Sequence, residues 1–134
     1  MKLKYLFIFV LSIGFGSFLF AQVFFRGKTL GPDEVKKKWG SVAFDAQKFK
    51  TGDFDIKAKM AYEILINKKF KGVSVVDIRE QLGSPDGFYF IDTYPAYIIQ
   101  SGKSRKEETW QIVFLLNSEF RVRDIIVHKN CCDE

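Results

Sequence analysis

The chain has 134 residues, of which 47% are hydrophobic and 28% are charged, a composition typical of one small globular domain with an additional segment. The net charge is +5, and two of the 21 basic residues are Lys2 and Lys4 at the N-terminus. The other basic residues are interspersed with 16 acidic ones. This balance is too mild to indicate a nucleic-acid partner.

The N-terminus predicts export. A short basic segment, MKLK, precedes a run without charge that extends over residues 5–25. Leu19 and Ala21 suit the −3 and −1 positions of a cleavage site, so residues 1–21 are typical of a secretory signal peptide. The alternative is an uncleaved anchor, since residues 5–25 are long enough to span a bilayer by the ~20-residue rule. We therefore expect an exported protein that is periplasmic or faces the periplasm from the membrane.

Residues 22–52 form an extension in which the stretch GPDEVKKKWG predicts one short helix. Pro32 suits the first helical turn, acidic residues follow it, and a lysine run suits the last turn. Gly40 suits the position just after the helix. The lysine run beside Trp39 is either a membrane-surface patch or a solvated last turn with Trp39 packed inward.

Residues 53–130 have the pattern of the folded domain, and residues 131–134 form a tail. A helix is predicted to begin after Asp53 or Asp55 and to end at about Phe70. Its apolar face consists of Ile56, Met60, Ala61, Ile64 and Leu65.

A second short helix and a turn follow from individual residues. Ser74 and Asp77 have the form of a capping box, in which the serine oxygen accepts a backbone N–H and Asp77 reaches back. Gly83 can adopt the left-handed conformation that ends a helix, and residues 84–87 favour a type I turn. Asp86 is also a candidate exposed functional carboxylate. The whole motif comprises Gly72, Ser74, Asp77, Leu82, Gly83, Pro85, Asp86 and Gly87.

Three strands are predicted after this turn. The first covers residues 88–100 and is interrupted by Pro95, the second covers 109–116, and the third covers 120–127 after a short hairpin turn. Asp124 marks a possible bulge in the third strand. The second strand is the most hydrophobic and is expected to be central. The predicted fold is α+β, with two helices on one face of a three-stranded antiparallel sheet in the order ααβββ.

The run KGVSVVDIREQLGSPD resembles the helix–turn signature of the BamE (SmpA/OmlA) family of small envelope proteins. That family has a Gly-Met-Thr/Ser cap, a short helix and Leu-Gly-x-Pro before a three-stranded antiparallel sheet. Here Gly72–Val73–Ser74 and Leu82–Gly83–Ser84–Pro85 match it, and the resemblance covers residues 71–127. It implies an envelope protein that acts by contact with another protein, as the similarly built β-lactamase-inhibitor modules do. The lipidated cysteine of the family has no counterpart, so outer-membrane attachment is not implied.

Half of the side chains of the predicted sheet point away from the helices. Aromatic residues on such a face are typical anchors of protein contacts. Alternatively, the N-terminal extension folds back and covers this face. The candidate binding face consists of Tyr89, Ile91, Thr93 and Gln111, or of the residues that alternate with them along the strands, such as Phe88 and Phe90.

The tail sequence HKNCCDE gathers several reactive groups. His128, Cys131 and Cys132 are weak candidate ligands of a soft metal, because adjacent cysteines lack the spacing that zinc sites usually have. In an oxidising compartment, pairing between chains or capture of a small thiol is the second interpretation. The third is a frayed terminus whose sulfur atoms pack locally.

We expect no enzymatic activity and no cofactor. The sequence has no phosphate-binding glycine loop and no dinucleotide fingerprint, and its single histidine lies near the terminus. A carboxylate pair of Asp86 with Glu107 or Glu108 is the remaining catalytic alternative. The expected partner is another envelope protein, and the alternatives are a membrane-anchored periplasmic domain or a thiol or metal protein.

Overall fold

The computed structural model describes residues 28–102 and 108–129. The predicted signal peptide or anchor and the two cysteines lie outside these ranges. In chain order the elements are β1 (Thr29–Leu30), α1 (Pro32–Trp39), α2 (Ala46–Thr51), α3 (Phe54–Ile66), a 3₁₀ helix (Lys68–Phe70), α4 (Val75–Leu82), β2 (Ala96–Gln100), β3 (Trp110–Leu116) and β4 (Val122–Lys129).

The α+β class is confirmed, but the predicted number of elements is wrong. The described ranges contain four α-helices and a four-stranded antiparallel sheet, in the order β1–β4–β3–β2. The sequence predicted three helices, one in the extension and two in the domain, and three strands. The additional elements, β1 and α2, both lie in the N-terminal extension. Neither shows a hydrophobic periodicity in the sequence, because β1 has only two residues and α2 buries only Phe49 among its six. No helix in the described ranges is long and apolar enough to cross a bilayer.

The helix boundaries follow the capping residues. Helix α1 confirms the predicted short helix, and Gly40 follows it with a φ of 82°. The Asp53 side chain accepts a hydrogen bond from the Ile56 N–H at 3.0 Å, which confirms the predicted start of α3. The predicted end at Phe70 is wrong, because α3 ends at Ile66. Asn67 leaves the helical conformation, and its side chain caps the following 3₁₀ helix.

The core joins the extension to the sheet. Five aromatic rings form a closed circuit of contacts with centroid separations between 5.2 and 6.4 Å, and four of the five contacts have edge geometry. Such pairs each add about 0.5–1.5 kcal/mol beyond the area that they bury. The five rings are those of Phe44, Phe49, Tyr97, Phe114 and Phe70.

Strand β3 is central, as predicted, and it pairs with β2 and β4. The β3–β4 hairpin turns through Phe120, which has a φ of 57°. The register then shifts, since Leu115 pairs with Asp124 while Leu116 pairs with Val122. The predicted bulge is therefore present, and Arg123 is the additional residue.

The predicted strand over residues 88–94 is wrong. This stretch has no strand pairing, Phe90 adopts a φ of 56°, and β2 begins only at Ala96. The reason is that none of its described backbone hydrogen bonds pairs it with a strand: Phe88 bonds to the Gln111 side chain, and the Ile91 and Tyr94 N–H groups donate to carbonyls within the segment. We call the sheet face opposite the helices the outer face, and residues 87–95, which lie on it, the covering segment.

Candidate interaction surface

The polar residues of the predicted helix–turn motif have structural partners. The Ser74 oxygen accepts the Asp77 N–H at 3.1 Å, so the predicted cap is confirmed. The Asp77 carboxylate accepts from the Ser74 hydroxyl at 2.7 Å and does not reach the backbone N–H that a capping box would use. Gly72 and Gly83 have φ values of 79° and 87°, which favour glycine.

The turn at residues 84–87 closes the outer edge of β2. The Asp86 carboxylate accepts a hydrogen bond from the Ile98 N–H at 2.8 Å, and Lys57 lies 3.6 Å from its other oxygen. The Gly87 N–H donates to the Ala96 carbonyl at 2.9 Å and is not used to close a turn on residue 84. Asp86 therefore has a structural role, because it occupies a backbone donor that would otherwise face solvent.

Tyr97 fixes the end of α4 against the sheet. Its hydroxyl donates to the Gly83 carbonyl at 2.9 Å, and its side chain is fully buried. Burial raises the pKa of this hydroxyl well above the ordinary tyrosine value. The group therefore stays protonated and keeps the hydrogen bond throughout the neutral range.

Gln111 holds the covering segment on the outer face. Its Nε2 donates to the Phe88 carbonyl at 2.7 Å, and its Oε1 accepts the Phe88 N–H at 3.1 Å. The Tyr89 ring lies edge-on to the His128 ring with centroids 4.8 Å apart. A Cβ atom at position 87 would collide with the Gln111 Oε1 atom and contact Ala96 closely, so only glycine permits this approach of the backbone.

The covering segment carries three large apolar side chains that face solvent. Phe88 is 56% exposed, Phe90 is 58% exposed and Ile91 is 49% exposed. These residues lie within four consecutive positions, and we call them the apolar patch. Single exposed hydrophobic residues are normal on a protein surface, whereas adjacent ones indicate a contact site.

The predicted binding face is only partly brought together. Ile91 and Thr93 are exposed and Tyr89 is half-buried, but Gln111 is 0% exposed and is not available to a partner. Of the residues that the structure describes, the covering segment and not residues 28–52 lies on this part of the outer face. Phe88 and Phe90 belong to the alternating set that was left as the alternative to the named face. The alternating pattern of this stretch could have indicated them, because a segment with one side against the sheet and the other in solvent shows the same alternation.

The weak metal candidates and the alternative carboxylate pair form no site within the described ranges, and Glu107, Cys131 and Cys132 lie outside them. No group of three or more His, Cys, Asp or Glu residues there could hold a metal ion. His128 is 7% exposed at the end of β4, and the cysteines lie outside the described residues. The described carboxylates of the alternative pair have separate partners, since Asp86 binds the Ile98 N–H and Glu108 binds the Trp110 Nε1–H at 3.0 Å.

Comparison with known proteins gives no relative for this fold and surface. No protein-family model, no curated protein and no solved structure matches the chain.

Proposed function

We propose that the chain is an exported, non-catalytic envelope protein that binds another envelope protein through the apolar patch of Phe88, Phe90 and Ile91. The observation that carries the proposal is the exposure of these three side chains on a backbone that is fixed to the sheet. Aromatic side chains of this kind supply most of the binding energy in protein interfaces.

The anchoring of the backbone supports a role in binding. Gln111 holds both backbone groups of Phe88, and the Arg79 guanidinium donates to the Asp92 carbonyl at 3.2 Å beyond the patch. Phe90 keeps a left-handed backbone conformation, which is strained for a phenylalanine. A patch that is already ordered loses less conformational entropy on binding, so its contacts translate more fully into affinity.

Hydrogen bonds that already occupy backbone groups of β2 and β4 favour side-chain contact over strand addition there. Along β2, Asp86 accepts from the Ile98 N–H and Gly87 donates to the Ala96 carbonyl. Along β4, the Ile125 N–H donates to the Asp124 carboxylate at 2.9 Å. A partner strand would have to displace these bonds, whereas the apolar patch needs no rearrangement.

The proposal assigns no catalytic role to the polar residues of the helix–turn motif. Ser74, Asp77 and Asp86 each form hydrogen bonds that hold a helix end or a strand edge. The resemblance of residues 71–127 to the BamE family supports the same conclusion, because that family acts by contact.

Photo-crosslinking in cells tests the proposal. A photoreactive residue in place of Phe90 is expected to give a crosslinked product of one defined size. Phe54, which is 40% exposed at the start of α3, is the matched control and is expected to give none of that product. The absence of any product from position 90, or the same products from both positions, would refute the apolar patch as the contact site.

The fate of the N-terminal run is decided separately by sequencing the mature protein. A mature chain that begins at Gln22 means a periplasmic protein, whereas one that begins at Met1 means an anchored domain.

The thiol alternative predicts that replacing Cys131 and Cys132 by serine abolishes the crosslink from Phe90. Our proposal predicts that the crosslink persists.

A further inference from the structure

The β3–β4 hairpin has a phenylalanine at a position where its turn favours glycine. The Phe120 N–H donates to the Asn117 carbonyl at 3.1 Å, and the Asn117 N–H donates to the Arg121 carbonyl at 2.9 Å. This is a tight turn followed by one residue in the left-handed conformation, where glycine is the usual residue. Phe120 has a φ of 57° and is 56% exposed. Its ring therefore gains little burial in exchange for a strained backbone.

A second exposed apolar residue belongs to the same end of the domain. The Val75 N–H donates to the Phe120 carbonyl at 2.9 Å, and Val76, the next residue, is 69% exposed. We call Phe120 and Val76 the hairpin tip. The Gly72 N–H also donates to the Val122 carbonyl at 2.8 Å. These bonds fix the hairpin to the start of α4, so the hairpin tip cannot bend onto the covering segment of its own chain.

Phe120 and Phe90 have two properties in common. They are the two non-glycine residues with a positive φ in the described ranges, and both are more than half exposed. Backbone strain at a ring that lies mostly in solvent indicates that the ring serves a contact outside its own chain. The reason for assigning a contact to the apolar patch therefore applies to the hairpin tip as well.

The hairpin tip and the apolar patch lie apart on the domain. Phe88 is bound to Gln111 near the start of β3, whereas β3 leads into the hairpin after Leu116. The strand between Gln111 and Leu116 is about 17 Å long. One copy of the chain can therefore use both surfaces at once, each against a different neighbour.

The charged side chains around the two surfaces are complementary. Lys71 and Arg123 are exposed beside the hairpin, and Asp92 is exposed beside the patch. The exposed side chains of Glu119 at the hairpin and Arg79 at the patch form a second set of opposite signs. None of these five side chains forms an ion pair with a described residue. A hairpin tip seated on the patch of a second copy brings unpaired charges of opposite sign together.

We infer that the partner of the apolar patch is a second copy of this chain, whose hairpin tip docks on it. This inference rests on the proposed function and names its partner. The contact is heterologous, because each copy presents the patch to one neighbour and the hairpin tip to another, so copies can add one after another. Five apolar side chains make a contact smaller than that of a permanent dimer, and the association is therefore reversible.

Photo-crosslinking of the full chain in cells identifies the partner. A photoreactive residue at position 90 is expected to give a product with the mass of two chains, joined to a peptide from residues 117–123. One at position 120 is expected to give the same product, joined to a peptide from residues 87–95. A two-chain product that joins position 90 to residues 87–95 would overturn the inference, because two patches would then face each other.

The same experiment separates this inference from the proposed function. A single defined product from position 90 with any mass other than two chains would overturn the second copy as partner and leave the patch standing as a contact site. The absence of any product from position 90 would refute both.

Two co-expressed chains, of which one is tagged, test whether the contact is heterologous. The first has a photoreactive residue at position 91 and Phe120→Gly, and the tagged chain has Phe90→Ser. We expect a product that joins them, because the intact patch of the first chain meets the intact hairpin of the second.

The matched control exchanges Phe90→Ser and Phe120→Gly between these two chains. The photoreactive chain then has an altered patch and the tagged chain an altered hairpin. Association is expected to be roughly 100-fold weaker, at about tenfold per aromatic ring, so that the product is lost. Equal amounts of product from the two arrangements would overturn the inference.

Phe120→Gly also distinguishes binding from a structural role of the ring. Glycine suits the left-handed position, so the urea midpoint is not expected to fall, whereas the two-chain product from position 90 is expected to disappear. A lower midpoint together with an unchanged product would overturn the inference, since the ring would then serve the fold of its own chain.

Charge reversal tests the choice of partner. Asp92→Lys is expected to reduce the two-chain product from position 90 by roughly two- to fivefold, because it places like charges against Lys71 and Arg123. Adding Lys71→Glu and Arg123→Glu to the same chain is expected to restore the product. A product that stays reduced after both changes would overturn the charge complementarity on which the second copy was chosen.

Discussion

The most direct test of the structure is to remove the amide of Gln111 while keeping its shape. Gln111→Met preserves the length of the side chain but loses both hydrogen bonds to Phe88, which measure 2.7 and 3.1 Å. Each bond contributes about 1 kcal/mol net, so the free energy of unfolding falls by about 2 kcal/mol if water replaces the amide. If the site stays dry, the unpaired Phe88 groups raise the loss to roughly 4 kcal/mol.

Urea denaturation measures this loss. With a denaturant slope of about 1–3 kcal/mol per molar, a loss of 2 kcal/mol lowers the unfolding midpoint by about 1 M. Gln81→Met is the matched control, because Gln81 is exposed in α4 and the same exchange there is expected to change stability by less than about 0.5 kcal/mol. Hydrogen exchange is expected to show the Phe88 amide losing protection while the β3–β4 amides keep theirs.

An unchanged urea midpoint together with an unchanged Phe88 exchange rate in Gln111→Met would refute the role of the Gln111 amide. Such a result would mean that the covering segment is held on the outer face by something other than this amide. The pre-ordering of Phe90 would then lose its physical basis.

Three further perturbations follow from the same contacts. Gly87→Ala places a methyl group against the Gln111 amide, so we expect a loss of about 1–3 kcal/mol in urea denaturation, and a stability equal to the wild type would contradict the packing. Asp86→Ala leaves the Ile98 N–H open at the sheet edge, so we expect a loss of about 1 kcal/mol together with increased self-association in light scattering. The folded state lowers the Glu108 pKa, so its stabilising effect is present above the ordinary glutamate pKa of about 4.3 and is lost as pH falls through the lower folded value. Thermal melting of wild type and Glu108→Gln from neutral to acidic pH should therefore converge at low pH, and parallel curves would contradict the shift.

The sequence predicted those parts of the fold in which one residue has one conformational role. Asp53 and Ser74 cap helices, and Gly40 and Gly83 end them, because each acts through its own backbone or a neighbour within four positions. Such local effects need no knowledge of the tertiary structure. The cap at Asn67 acts in the same way, but the apolar pattern continues through it to Phe70, and the helix was therefore predicted too long.

The parts that could not be predicted depend on distant partners. No local sequence feature indicates that β1 pairs with the end of β4, because a strand of two residues has no hydrophobic periodicity. The alternation over residues 88–90 is present in the structure, where Tyr89 is half-buried while Phe88 and Phe90 are exposed. A segment that lies flat on a sheet has the same two-sided environment as a strand within it, so the pattern alone cannot separate the two.

The same limit explains why the apolar patch escaped sequence analysis. A strand places Phe88 and Phe90 on one side and Tyr89 and Ile91 on the other, and the second set was named first as the one that faces a partner. The structure reverses this for the two phenylalanines, because the Gln111 amide pairs with the Phe88 backbone and so sets which side faces the sheet. One buried polar residue in β3 thus decides which aromatic rings reach solvent.

The occupied backbone groups at the sheet edges also explain why we assign binding to the covering segment. The helices occupy one face of the sheet, Asp86 and Gly87 occupy backbone positions of β2, Asp124 occupies one of β4, and residues 87–95 lie on the outer face. A scaffold closed in this way resists edge-to-edge association and offers a partner only side chains. The turn at residues 83–87 therefore contributes to binding indirectly. Asp86 and Gly87 fix where the covering segment begins, and Gln111 fixes its orientation on the outer face.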